Sequence, residues 1–86
     1  MIYGTAYDLV FSPDAVQTHL FVADGGNGEV HIVARDTGQQ VASFGRIGRQ
    51  AGQFYGLHNI AIDAQGNIYT AEVRGGRRVQ RFTPVR

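Results

Sequence analysis

The sequence has no cysteine, no lysine and no apolar run that approaches the ~20 residues needed to span a membrane. Without cysteine there is no disulfide and no thiolate metal site, and the redox compartment stays unassigned. All eight basic residues are therefore arginine. Residues 1–7 show no basic stretch followed by an apolar core, so no secretory signal is expected and no localisation follows. Ser-His-Asp, P-loop and CxxC patterns are absent, as are low-complexity tracts and any sign of a second domain.

What is present is glycine, at 12 of 86 residues, set between short runs of β-branched and aromatic side chains. Residues 58–82 read HNIAIDAQGNIYTAEVRGGRRVQRF. Ile60 and Ile62 lie two apart and share one face of a strand. Residues 68–72 form a second β-type run and 78–82 a third. Ala64-Gln65-Gly66-Asn67 separates the first two as a tight hairpin, with Gly66 and Asn67 tolerating positive φ. Arg74-Gly75-Gly76-Arg77 separates the last two. The pattern predicts a three-stranded antiparallel meander.

The same unit occurs earlier in the chain. Leu9-Val10-Phe11 falls on Ile60-Ala61-Ile62, residues 21–24 fall on 69–72, and Val30 falls on Val79, at offsets of 51, 48 and 49. The length changes are confined to turns, so this is an internal repeat, and repeats of this length signal propellers or arrays. In chain order, strands are predicted at 6–11, 20–24, 29–34 and 40–44, with Ser12-Pro13-Asp14 opening the first loop. In the last of these, Val41 and Ser43 are expected on one face and Ala42 and Phe44 on the other. Residues 45–56 form a link, and the second unit occupies about 57–83 without a fourth, outer strand. The fold class expected is all-β: two antiparallel meander blades in a single partial propeller domain over 1–86. A propeller closes with about four blades or more, so two blades are incomplete alone. A domain of this size buries only about 60–65% of its unfolded surface. Exposed blade faces bearing Leu9, Phe11, Ile60 and Ile62 predict self-association.

The wording GQF-x-x-x-HNIAID-x-x-GNIYTAEV-x-x-x-RRVQRF over residues 52–82 resembles the NHL repeat, and residues 9–33 match it more loosely. The resemblance implies blades of a six-bladed β-propeller. Within that family the wording is similar to bacterial propellers akin to peptidyl-α-hydroxyglycine α-amidating lyase. In those, a zinc sits in the central channel on histidines placed just before inner strands, with a structural calcium nearby. By that resemblance His58 is the candidate zinc ligand, and neutral imidazole at the mouth of an inner strand suits zinc. Asn59 and Asp8, the oxygen-bearing neighbours in the two copies, are the candidates for a hard cation. Tyr7, not a histidine, stands at the position of His58 in the first copy, so the chain supplies one zinc ligand and not a set. The bland reading of Asp8 and Asn59 is that they bond nearby backbone N–H groups.

Charge is uneven. Residues 1–45 carry one arginine against five acids, a balance of −4, and residues 46–86 carry seven arginines against two acids, a balance of +5. Arg74, Arg77, Arg78 and Arg81 crowd one turn and strand. An anion or RNA site is one reading. A solvated propeller edge is the other, favoured because no aromatic platform accompanies the cluster. Asp24 and Glu72 end equivalent strands and are expected to anchor the turns that follow them. Arg78 is placed to pair with Glu72. His19 and His31 read as structural or solvated. The function expected is binding of a protein, peptide or small molecule at the channel or rim. The partners expected are further copies of this chain or the remaining blades of a longer propeller. The alternatives are the C-terminal part of a metal-dependent lyase-like enzyme and RNA binding. No membrane partner is indicated.

Overall fold

The computed structural model describes residues 6–73 and 78–84. Seven strands follow one another: β1 (Ala6–Phe11), β2 (His19–Asp24), β3 (Glu29–Ala34), β4 (Gln40–Phe44), β5 (Leu57–Ile62), β6 (Ile68–Glu72) and β7 (Val79–Phe82). They form two antiparallel sheets, β1-β2-β3-β4 and β5-β6-β7, each with strands in chain order. No helix occurs among the described residues. The all-β class and the two meanders thus follow from the period-2 patterning and the turn residues.

Strand limits differ from the sequence reading at three places. β2 begins at His19, because the Ser12 and His19 backbones close the long loop with a 2.8 Å bond. β5 spans Leu57–Ile62 where the run expected was Asn59–Asp63, and β7 begins at Val79 where Arg78 was expected. The β3–β4 register also shifts between Ile32, paired with Ala42, and Val33, paired with Gln40. Val41 therefore falls outside the simple alternation expected of that strand.

The first hairpin loop of each sheet is fixed by a carboxylate. Asp14 accepts the Ser12 hydroxyl, the Thr18 N–H at 3.1 Å and the Thr18 hydroxyl at 2.6 Å. Asp63 accepts the Gln65 and Asn67 N–H groups and the Asn67 amide, each within 3.0 Å. In that second loop only one of the two expected residues uses positive φ. Gly66 sits at +85°, whereas Asn67 holds the turn through its side chain.

Alternation along the strands gives each sheet two faces. One face of the four-stranded sheet presents Val10, Phe21, Ala23, Val30, Ile32 and Phe44. It faces Ile60, Ile62, Ile68 and Phe82 of the other sheet, with Ala23, Val30, Leu57, Ile60 and Ile68 buried between them. β5 packs against both β1 and β2. Ile60 is therefore in the core at 5% exposure, a correction to its expected place on an exposed face, and Ile62 is half-buried. Leu9 and Phe11 do stand exposed, at 48% and 39%.

The link holds the residue that the sequence reading undervalued. Phe54 is fully buried and is the largest such side chain. It packs with Phe44 and Phe82 at centroid separations of 6.3 and 5.7 Å, and those two lie 4.9 Å apart. A parallel bridge joins Ile47 and Phe54, and the Phe54 N–H donates to Arg46 O at 2.8 Å. The link is thus a strap whose aromatic plug sits against Phe44 of one sheet and Phe82 of the other. Burial of a side chain this size contributes about 1.5–3 kcal/mol.

Candidate functional site

The site is built by an irregularity that occurs twice. In the β1–β2 pair, Ala6 opposes Asp24 and Asp8 opposes Ala23, which leaves Tyr7 as an extra residue. In the β5–β6 pair, Leu57 opposes Glu72 and Asn59 opposes Ala71, which leaves His58 as the extra residue. The two bulges occur at equivalent positions of the repeat. A bulge turns its residue out of the alternation and re-aims the side chain. Here the two re-aimed rings meet, stacked at 5.2 Å with 20° between planes.

Glycines make room for this meeting. A β-carbon on Gly25 would lie 2.3 Å from both the Leu57 carbonyl oxygen and the Tyr7 ring. Gly56 has φ +72° and would place its β-carbon 2.4 Å from Val73 O. Tyr7, Gly25, Gly56, Leu57, His58 and Val73 line a recess of about 250 Å³. The glycine positions were not singled out from sequence. Nothing local marks Gly25, since its close approach depends on the second sheet.

Asp8 and Asn59 lie beside the stack. Asp8 accepts its own strand's Leu9 N–H at 2.9 Å and, across to the other sheet, the Ile60 N–H at 3.1 Å. His58 Nδ1 donates to Asn59 Oδ1 at 3.0 Å. The four residues Tyr7, Asp8, His58 and Asn59, 51 apart in sequence pair by pair, are thus brought to one end of the sheet junction.

As arranged in one chain they do not make up a metal site. The described residues contain no group of three His, Asp or Glu side chains able to hold a metal. His58 has one ring nitrogen engaged by Asn59, and both Asp8 oxygens accept backbone N–H bonds. Zinc and calcium, which the resemblance implies, find here one imidazole and a carboxylate already facing donors. What the arrangement offers chemically is a flat aromatic surface, an amide and a carboxylate edge over a glycine floor.

The arginine cluster is only partly described, since Arg74 and Arg77 lie outside the described residues. Arg78 is a structural residue. Its guanidinium donates to Glu72 Oε2 at 2.8 Å, Arg49 O at 2.7 Å, Gln50 O at 3.2 Å and Gln53 O at 2.6 Å. Four of the five N–H donors of a guanidinium are thereby spent, three of them on carbonyls of the link. Glu72 also accepts the Tyr55 N–H at 2.7 Å and the Gln80 amide at 2.9 Å. Burial pushes its carboxyl up, yet the Arg78 bond, the Tyr55 N–H, Gln80 and the Arg78 charge together hold it below the usual glutamate range. The described bonds of Glu72 run across the sheet to Arg78 and Gln80 and back to the preceding link, and the turn it was expected to anchor, Arg74–Arg77, lies outside the described residues. Asp24 does anchor its following turn, through the Asn27 N–H at 3.3 Å and amide at 2.8 Å, and it also accepts His31 Nε2 at 2.9 Å. His31 is buried.

No protein-family model matches this chain, and a search of curated proteins finds no match either.

Proposed function

We propose that the chain is a pair of blades of an NHL-type β-propeller, and that it works by binding, through the recess beside Tyr7 and His58. The observation that carries the reading is the duplicated bulge, which aims an aromatic ring from each sheet at the same point. Bulges of this kind recur next to functional sites because they re-aim one side chain through a local kink while the strand resumes its pairing beyond it. The wording of residues 52–82 supports the blade assignment. Asp24 and Glu72, the paired acids, are committed to structural bonds, which favours binding over acid–base chemistry. A stacked ring pair beside amide and carboxylate groups suits a small planar molecule or a peptide bond, held by its flat face and one or two hydrogen bonds.

The test is an amide NMR titration with a set of small phenols and uncharged dipeptide amides. Shifts confined to Tyr7, Gly25, Gly56, Leu57 and His58, and lost in His58→Ala, are expected. Shifts that persist in His58→Ala, or none at all, overturn the reading. Zinc chloride added in the same experiment separates the metal-dependent alternative, which requires tight binding that His58→Ala abolishes.

A further inference from the structure

The chain makes one sheet-on-sheet interface internally and displays both halves of a second. Inside the molecule, Val10 and Val30 of the first sheet cover Ile60 and Ile62 of the second. By the repeat, Leu9 and Phe11 occupy the places of Ile60 and Ile62, and Ala61 and Val79 occupy those of Val10 and Val30. The exposures separate these pairs sharply. Ile60 is 5% exposed and Val30 0%, whereas Leu9 is 48% and Val79 71% exposed. The outer face of each sheet is thus the counterpart of a face that is buried at the junction.

We propose that a second copy of this chain docks its β5-β6-β7 outer face, around Ala61 and Val79, onto the β1-β2-β3-β4 outer face, around Leu9 and Phe11, repeating the internal interface head to tail. This rests on reading the sheets as successive blades, and not on the ligand recess. Two further features fit this arrangement. The polar and aromatic contacts propagate. Asp8 accepts the Ile60 N–H within the chain, and Asn59, the equivalent of Asp8, would face β1 of the next copy beside Leu9, whose N–H bonds its own Asp8. The Tyr7–His58 stack continues as His58 against the next copy's Tyr7.

Charge and the repeat give the direction. Strands β1–β4 hold Asp8, Asp24 and Glu29 and no arginine, whereas β7 holds the exposed Arg81. Head-to-tail docking brings Arg81 of one copy to the acid-bearing sheet of the next, at the place that Ile32 holds inside the chain. Pairing two first sheets would oppose like charges. A heterologous interface of this kind closes into a ring or grows without limit. Propellers close with about four to eight blades, which corresponds to two, three or four copies of a two-sheet chain.

The experiment is light scattering on the whole chain over a tenfold range of concentration, with Leu9→Asp and Val79→Asp as variants. Both side chains are exposed, so folding should survive and is checked by circular dichroism. If either aspartate variant loses its β-sheet signal, Leu9→Ser and Val79→Ser take its place. The wild type should show one discrete mass of two, three or four chains, and each variant a single chain. An equimolar mixture of the two variants should give two chains and no more, since one intact face remains on each partner. A single-chain wild type would overturn the proposal and point to blades supplied by a longer chain. A variant that still dimerises with itself, a mixture that stays monomeric, or unlimited growth would overturn it as well. Failure here leaves the recess titration unaffected, because every recess residue belongs to one chain.

Discussion

Asp24 and Glu72 occupy the same position in two copies of one repeat, yet they are wired differently. Asp24 ends β2, and its described bonds go to Asn27 and His31 of its own sheet. Glu72 ends β6 and reaches the Tyr55 N–H in the link while pairing with Arg78 and Gln80 of the neighbouring strand and turn. One additional methylene lets Glu72 clamp the twelve-residue strap over 45–56 while it also holds the neighbouring strand. The first sheet is closed by its own fourth strand. The second has three strands among the described residues and is closed at its Glu72 end by the strap, which Arg78 and Gln80 hold. Repetition therefore fixes where the acids stand, and the partners decide what they hold.

The largest expected break of this comparison is Phe54→Ala. The strap's plug is fully buried against Phe44 and Phe82. Its removal should cost about 3–5 kcal/mol, read as a lowered urea midpoint at fixed protein concentration. A loss below about 1 kcal/mol would mean that the groove collapses around the missing ring and that the strap is not what closes the second sheet.

Glu72→Ala comes next. It strands the Tyr55 N–H and the Arg78 guanidinium, and a loss of about 2–3 kcal/mol is expected. Amide exchange separates the two acids. Glu72→Ala should speed exchange at Gln53 and Tyr55, and Asp24→Ala should speed it at Asn27 while leaving Tyr55 slow. Equal effects on Tyr55 would erase the distinction between clamp and anchor.

Much of this architecture was legible in sequence because it is local. Alternation around Leu9-Val10-Phe11 and Ile60-Ala61-Ile62, and the turn residues between runs, specify strands and their antiparallel order. The equivalence of Tyr7 and His58 was also visible as an offset. That they stack was not, since a bulge is a matter of register and shows only once Asp24 and Glu72 are paired with their partners. Phe54 was hidden for a similar reason. It sits among glycines and arginines, where no periodicity marks a core position, and its burial comes from strands distant in sequence. Gly25 needs its missing side chain because of Leu57 and Tyr7, so no local reading reveals it.

Thr70 offers a smaller test of the comparison in the opposite direction. It is 1% exposed, and its hydroxyl has no hydrogen-bond partner among the described residues. The equivalent residue in the first sheet is Val22, also buried. Thr70→Val imports the first sheet's solution and should stabilise the second by about 1 kcal/mol, by removing a buried polar group without a partner. A destabilised variant would show that the hydroxyl is satisfied in solution.

Acid sharpens the comparison last. Asp14 is lowered from 3.8 to about 2, first by the Ser12 hydroxyl and then by Thr18. Asp63 is lowered chiefly by the Asn67 amide, against a smaller opposing effect of burial, and Glu72 is lowered as described above. In each case the folded state holds the proton less tightly than the unfolded chain. The stabilisation is therefore complete above the unfolded values of 3.8 and 4.5, and is lost as pH falls through the folded ones. Urea midpoints should be flat from pH 7 to about 5 with respect to these groups and fall towards pH 2. Glu72→Gln should remove part of that fall, because its side chain no longer titrates, and Asp14→Asn should remove the portion nearest pH 2. If Asp14→Asn instead flattens the curve between pH 5 and 4, the first hairpin loop does not hold its carboxylate as Ser12 and Thr18 arrange it, and the two loops are less alike than their paired acids suggest.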